Sequence, residues 1–283
     1  MDFYRPASLP EAVSLLARHE GARCLAGGAT LVAMLNANLL EPSALISLAE
    51  LRELSGISAL PDGSIRIGAM TRHAETASST VLHGGQRVLS AAAQKIANAP
   101  VRNMGTIGGS LAFADPAADY LPALAVLDAA IEVTSPAGNR TINFTEYVVD
   151  WYTTALQPDE IITAVVIPPA PNGAVGVFEK LERTAGDFAI ASVALILGSE
   201  KGKCRTARIA IGACAPGPVR RREAETLIEG SQFNETAVQE CGRVLAEACD
   251  PVDDVRASAD YRRLVIPRLV AKTIARGRAL LGE

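Results

Sequence analysis

The proline pair Pro168-Pro169, followed at once by Pro171-Asn172-Gly173, most constrains what this 283-residue chain can fold into. Proline lacks a backbone donor and fixes φ, so neither a helix nor a central strand runs through such a cluster. The hydrophobic pattern changes character across it. Before it, apolar runs of strand length alternate with helical periods. After it, 176–182, 189–198 and 204–212 read as three strands, the last two joined by the turn Ser199-Glu200-Lys201-Gly202-Lys203, and helices follow around 220–230, 234–248 and 260–281. That order predicts an α+β chain. Residues 1–172 form a first domain with α/β subdomains at about 1–55 and 56–172, and residues 173–283 form an antiparallel sheet with helices. At roughly 100–200 residues per domain, the length suits this division.

Within the first domain, Ser8 caps a helix over 8–20 with Pro10 in its first turn, and Gly21 stops it. A strand is expected at 22–26, a helix at 31–40 ending at Glu41-Pro42, a strand at 44–48, and a strand at 64–68 feeding a helix that opens at Thr71. An Ala-rich helix over 88–96 gives way to 98–110, a segment crowded with turn formers that reads as one long loop. A helix over 122–127, a strand over 130–134, the turn Pro136-Ala137-Gly138-Asn139 and a strand over 160–167 complete the domain.

Composition narrows the function classes. Only 4% of residues are aromatic and the formal net charge is -4, which argues against a nucleic-acid or acidic-membrane partner and for a small ligand or a protein. The cysteines, Cys24, Cys204, Cys214, Cys241 and Cys249, are odd in number and widely spaced, with no CxxC pair, so neither a zinc ribbon nor a ferredoxin-type cluster is read here. His19, His73 and His83 read as surface or helix-end residues and no metal site is expected. No secretion pattern and no apolar stretch of about 18 residues occurs, which predicts a cytoplasmic protein, at most peripheral to the inner membrane through a complex.

Familiar catalytic signatures fail on spacing. The 198–204 segment carries three residues instead of four between the glycines of a phosphate loop, and a Cys follows its Lys. GxGxxG after a strand, GxSxG and HExxH are absent. Two glycine pairs of similar form remain: Ala26-Gly27-Gly28-Ala29-Thr30 and Thr106-Ile107-Gly108-Gly109-Ser110. Each joins a backbone free of Cβ atoms to a hydroxyl residue, so main-chain N–H groups can approach an anion closely. Either pair alone reads more simply as a tight turn before a packed element, and two in one domain, each with a nearby hydroxyl, point towards a diphosphate ligand. Behind them lies Asp115-Pro116-Ala117-Ala118-Asp119, where Asp119 reads as the N-cap of the next helix and Asp115 as either a turn residue or an acceptor for ligand hydroxyls.

These segments, together with Val101-Arg102-Asn103-Met104-Gly105 before the second glycine pair, resemble the FAD-binding medium subunit of molybdenum hydroxylases, the family of aerobic carbon monoxide dehydrogenase and xanthine dehydrogenase. Phe3-Tyr4-Arg5-Pro6, Glu160-Ile161-Ile162-Thr163, the run from Phe178 to Ala189 and Tyr261-Arg262-Arg263 extend the likeness over nearly the whole chain. The resemblance implies a vanillyl-alcohol-oxidase-like pair of subdomains clasping FAD and a C-terminal domain of the carbon monoxide dehydrogenase flavoprotein type. It further implies that Ala26, Gly27, Gly28, Ala29 and Thr30, with Thr106, Ile107, Gly108, Gly109 and Ser110, hold the pyrophosphate. Asp115 would bind ribityl or ribose hydroxyls, and Phe178 and Lys180 would lie on the strand beside the isoalloxazine ring. Relatives commonly carry Arg at Met104, Asn at Ser110, His or Ser at Ala29, His at Phe113 and Tyr at Phe178. No catalytic acid or base is implied on this chain.

The same resemblance implies a role as one subunit of a heterotrimer, paired into a dimer of heterotrimers. Molybdopterin would sit on a large subunit, [2Fe-2S] clusters on a small one, and electrons would pass through FAD here to an external acceptor. The alternatives are a stand-alone FAD-dependent oxidoreductase of the same superfamily and a nucleotide-binding module without redox activity. The basic last helix, with Arg262, Arg263, Arg268, Lys272, Arg276 and Arg278, reads as a solvated face, with subunit docking as the other reading.

Overall fold

A computed structural model describes residues 1–282. The chain opens with β1 (Asp2–Tyr4), α1 (Leu9–Arg18), β2 (Arg23–Leu25), α2 (Leu31–Asn36) and β3 (Ala44–Ser47). The three strands form a parallel sheet in the order β1-β3-β2. Central β3 is buried along its whole length, and α1 packs Ala12, Val13 and Leu16 into the same core. The start of α1 is set as its sequence requires: Ser8 accepts from the Glu11 N–H at 3.4 Å, and the Glu11 carboxylate accepts from the Ala7 N–H at 2.8 Å.

The second subdomain is built on an antiparallel sheet. It runs through β4 (Ile57–Ala59), β5 (Ile65–Gly68), α3 (His73–Ser78), α4 (Arg87–Lys95), α5 (Ala99–Met104), α6 (Ile107–Phe113), α7 (Tyr120–Val126), β6 (Ala130–Ser135), β7 (Gly138–Asn143), α8 (Phe144–Tyr147), β8 (Val148–Asp150), β9 (Thr153–Thr154) and β10 (Ile161–Ile167). The sheet order is β4-β5-β10-β6-β7, and β8 and β9 pair separately as a short ribbon. The wholly buried α7 lies in the middle of the resulting core.

Past the prolines come β11 (Val175–Leu181), β12 (Ala191–Glu200), β13 (Lys203–Gly212), β14 (Val219–Arg220), α9 (Arg222–Ile228), α10 (Glu235–Glu247) and α11 (Ala259–Leu281), with the four strands in sequential antiparallel order. Lys201 and Gly202 both have positive φ, as a tight hairpin between β12 and β13 demands. In β12, Val193, Leu195 and Leu197 enter the core beneath α10 and α11, whereas the intervening Ala194 and Ile196 enter the core shared with α4 and α7. This alternation explains why β12 reads as an unbroken apolar run: both faces of the sheet are covered. The domains therefore meet across a packed hydrophobic layer, despite the chain-level boundary at the prolines.

Four expectations require correction. The 98–110 segment contains the short helices α5 and α6, each too brief to show a hydrophobic period, capped by Asn98 on the Val101 N–H and Thr106 on the Gly109 N–H. Helix α2 ends at Asn36, well short of residue 40, and buries none of its residues. His73 opens α3, a helix-end position, but it is buried and not at the surface. The basic face of α11 is only partly solvated: Arg262 is 3% exposed, and Lys272 and Arg276 pair with the buried Glu179 on β11.

Candidate functional site

The two glycine segments, about eighty residues apart in sequence, touch. A Cβ on Gly27 would lie 1.8 Å from the Met104 carbonyl oxygen, and one on Gly109 would lie 3.5 Å from the Ala26 Cβ. Gly27 is therefore required for the close approach of the first loop to the end of α5. Gly28 adopts φ +79°, a left-handed conformation that turns the chain into α2.

Equal sequence form conceals different chemistry. In the first loop, the five N–H groups from Ala26 to Thr30 donate to no protein acceptor among the described residues, and the Thr30 hydroxyl makes no cap bond. Ala26 to Ala29 are half-buried and Thr30 is exposed, so these donors lie near the surface. In the second loop, Ile107 N–H donates to the Thr71 carbonyl at 3.0 Å, Gly108 N–H to Ala69 at 2.8 Å, Gly109 N–H to the Thr106 hydroxyl at 3.1 Å and Ser110 N–H to the Thr106 carbonyl at 3.0 Å. Thr106, Ile107 and Gly108 are buried. A Cβ on Gly108 would come within 2.6 Å of the Ala69 Cβ, so that glycine serves packing of α6 on the chain after β5. Only half-buried Gly109 and Ser110 face outward, and the Ser110 hydroxyl has no protein partner among the described residues.

Asp115 lies at the other end of α6, a helix of seven residues spanning about 10 Å. One carboxylate oxygen accepts from the Ala117 N–H at 2.8 Å; the other makes no hydrogen bond to a described residue. Burial raises its pKa, an effect that the Ala117 N–H and Arg256 oppose. Around it stand residues that the sequence reading did not assign: Tyr152, edge-on to Phe113 with ring centroids 5.4 Å apart, and Phe188, beneath the Arg256 guanidinium at 4.9 Å. Both rings are about half exposed, at 56% and 47%. Their only signal in the sequence is aromatic character in otherwise polar turns, which does not distinguish a ligand wall from an ordinary surface residue.

Phe178 and Lys180 occupy the framework behind this surface. Phe178 is buried in the core shared by the two domains. Lys180 is enclosed, and its ammonium donates to Asp119 Oδ2 at 2.9 Å and the Lys95 carbonyl at 3.1 Å, with Glu182 at 3.3 Å. Asp119 is thus the buried anion of an inter-domain ion cluster, and its side chain caps no helix, contrary to expectation. Burial pushes its pKa up to about 6 against the pull of Lys180.

His73 supports the second loop from behind. Its N–H donates to the Gly105 carbonyl at 3.0 Å, its Nδ1 lies 3.1 Å from the Tyr120 hydroxyl, and a Cβ on Gly105 would strike its Nε2 at 2.5 Å. Burial first, and then Arg102, lowers its pKa to about 4, so the ring is neutral near pH 7. Arg102 donates to the Ile96 and Ala97 carbonyls, both at 2.8 Å, engaging the acceptors left at the end of α4.

The donor set fits FAD. Unpartnered N–H groups suit a diphosphate, Cβ-free glycines admit it closely, and a carboxylate with a free oxygen about one short helix away suits hydroxyls of an extended dinucleotide.

Comparison with known proteins agrees. Residues 1–170 match the family described as the FAD binding domain in molybdopterin dehydrogenase, and residues 176–276 match the CO dehydrogenase flavoprotein C-terminal domain. The chain is 36% identical over 277 residues to the 6-hydroxypseudooxynicotine dehydrogenase complex subunit alpha of Paenarthrobacter nicotinovorans, covering 97% of this chain and 93% of that one. It is 34% identical over 280 residues to the carbon monoxide dehydrogenase medium chain of Afipia carboxidovorans, covering 98% and 96%. Reconstituted CO dehydrogenase from Oligotropha carboxidovorans superposes with a TM-score of 0.94 at 34% identity, over 99% of this chain and 98% of that one. The chain belongs to the FAD-binding subunits of the molybdenum hydroxylase oxidoreductases, the carbon monoxide dehydrogenase and xanthine dehydrogenase type.

Proposed function

We propose that this chain is the electron-transfer subunit of a cytoplasmic heterotrimeric molybdenum hydroxylase, receiving electrons from [2Fe-2S] clusters of a small partner and delivering them to an external acceptor. A large partner holds the molybdopterin and oxidises the substrate, and two heterotrimers pair. The observation that carries the reading is the row of N–H groups from Ala26 to Thr30 without an acceptor among the described residues, set against α5 and α6 in a chain of this family.

FAD, when bound, supplies the redox chemistry, and the protein supplies binding, orientation and electrostatics. The first-loop amides hold the diphosphate without an added charge, so the site neutralises the anion by dipoles alone. Thr30 and Ser110 contribute hydroxyl donors. Thr106, Ile107 and Gly108 keep α6 seated, and Gly109 lets the two loops close. Asp115 accepts from ribityl or ribose hydroxyls, and its ionised form is required for acceptance by both oxygens. Tyr152 and Phe188 supply planar apolar faces at that end, while Phe178, Lys180 and Asp119 hold the strand behind it. Among the described residues no group of three His, Cys, Asp or Glu could hold a metal, and no helix is long and apolar enough to cross a membrane.

The test is to purify the chain alone and with co-expressed partners. The reading expects FAD released on denaturing either preparation, and substrate-dependent dye reduction by the complex only. Turnover by the isolated chain would establish a self-contained flavoenzyme instead, and a flavin-free complex with intact partners would leave a nucleotide-binding module.

A further inference from the structure

Arg262, in the first turn of α11, is 3% exposed, and its guanidinium ties together three stretches of chain that border the Asp115 end of the site. Its Nη1 donates to the Ile190 carbonyl at 2.6 Å and to the Ala213 carbonyl at 2.9 Å, and its Nη2 meets Asp254 at 2.7 Å. Ile190 ends the loop over 182–190 that presents Phe188. Ala213 holds the chain beside Asp115, since its N–H donates to the Pro116 carbonyl at 3.1 Å. Its φ of +66° is a left-handed conformation that a non-glycine residue adopts at a cost, and these two bonds hold it there. Asp254 lies in 249–258, the segment without helix or strand between α10 and α11.

Asp254 passes this anchorage on to Arg256. Its carboxylate accepts from Arg256 Nη1 at 3.0 Å, and from the Arg256 and Ala257 N–H groups at 2.8 and 3.0 Å, so the Arg256 side chain is aimed by a group that is itself held by buried Arg262. In that direction the Arg256 guanidinium lies over the Phe188 ring, 4.9 Å from its centroid. A cation at this distance over a ring face is attracted by the ring quadrupole. The loop under the ring has little other fastening near its tip. Arg183, Thr184, Ala185 and Asp187 are exposed, and the bonds from the Gly186 N–H to Glu182 at 3.1 Å and from the Asp187 N–H to Thr184 at 2.9 Å are internal to the loop.

We propose that Arg256 is a positioning residue for FAD: anchored through Asp254 to Arg262, it sets the Phe188 ring as one wall of the site before the cofactor arrives. The inference rests on the FAD reading above and deepens it. A preset wall spares the cofactor the cost of ordering a ring-bearing loop, and that saving appears as slower release. Arg256 also brings a permanent positive charge to this end, where it opposes the burial that raises the Asp115 carboxyl. The role is one that only the fold reveals, because Arg256, Asp254 and Phe188 come from separate segments that carry no common motif.

The experiment compares the intact parent complex with complexes carrying Arg256→Gln, Arg256→Lys, Phe188→Leu, or Arg256→Gln together with Phe188→Leu. Hydrogen–deuterium exchange of the peptide over 182–190 reads the wall itself and needs no flavin, and the rate of FAD release on dilution reads its consequence. In Arg256→Gln, exchange over 182–190 is expected to rise and FAD to leave roughly two- to fivefold faster, the equivalent of one exposed cation–π contact. Arg256→Lys, which keeps a cation over the ring, should recover most of both. The double variant should release FAD no faster than Phe188→Leu alone. Unchanged exchange in Arg256→Gln overturns the proposal. So does a loosened loop with unaltered FAD release, which makes Arg256 a purely structural residue, and so do additive effects in the double variant. A parent complex without flavin overturns the FAD reading and the positioning role with it, whereas a flavin-loaded parent with an insensitive Arg256→Gln variant overturns the positioning role alone.

Discussion

The two glycine loops have nearly the same composition and lie in contact, yet one is open and the other closed. The first presents five N–H groups with no protein partner among the described residues, whereas four consecutive N–H groups of the second already donate to Thr71, Ala69 and Thr106. A glycine pair therefore says that the backbone approaches something closely, without saying what. In the first loop that something is the Met104 carbonyl at the end of α5, and in the second it is chiefly Ala69 and the His73 ring. The second loop belongs to a framework with His73, Tyr120, Asp119 and Lys180, whereas the first keeps its donors free of protein acceptors among the described residues.

The largest effect that sharpens this contrast is expected at the framework. Lys180→Met leaves buried Asp119, and half-buried Glu182 beside it, without their cation, and breaking a buried pair costs about 3–5 kcal/mol. Urea unfolding of the apo chain reads this loss. An unchanged midpoint would remove Lys180 from the framework.

His73 gives the next largest effect. Its folded pKa of about 4 lies below the unfolded value of 6.5, so the unfolded chain binds the proton more readily between these values. The stability from keeping the ring neutral is full above pH 6.5 and is lost as the pH falls towards 4, by an amount on the order of 3 kcal/mol. Urea titrations at pH 7 and 4.5 should show a smaller acid-induced loss for His73→Gln than for the parent chain.

The direct comparison is Gly108→Ala against Gly27→Ala. At Gly108 a Cβ meets Ala69 in the core, and overpacking of this kind costs about 1–3 kcal/mol. Its melting temperature should drop while the flavin-to-protein ratio of the folded fraction holds. Gly27→Ala instead drives apart two half-exposed segments, so flavin content should fall further than stability does. Equal loss of flavin in the two variants would break the distinction. Ser110→Ala should have the smallest effect: one hydrogen bond, worth about 0.5–1.5 kcal/mol, corresponds to a loss of FAD affinity of roughly two- to tenfold by equilibrium dialysis.

Much of the architecture was legible because local chemistry announces it. Ser8 and Pro10 place the start of α1, Lys201-Gly202 turns β12 into β13, and the prolines after β10 end the first domain's sheet. Helices α5 and α6 were not legible, since six or seven residues do not complete two helical turns and their stability comes from the caps and from neighbours. Asp119 misled for a related reason. An acidic residue before an apolar helix looks like a cap, and only the arrival of Lys180 from β11, sixty-one residues later, turns it into an ion-pair partner.

The sequence by itself determined that the strand over 160–167 stops at Pro168-Pro169, the kinds of element on each side, and the positions where backbone must approach closely. These follow from covalent geometry and short-range periodicity, which act within a few residues. Tertiary structure decided which of those approaches leaves hydrogen-bond donors free and which charges are buried. Such outcomes depend on segments far apart in the chain, and only packing determines whether a given N–H finds a carbonyl or is left for a ligand.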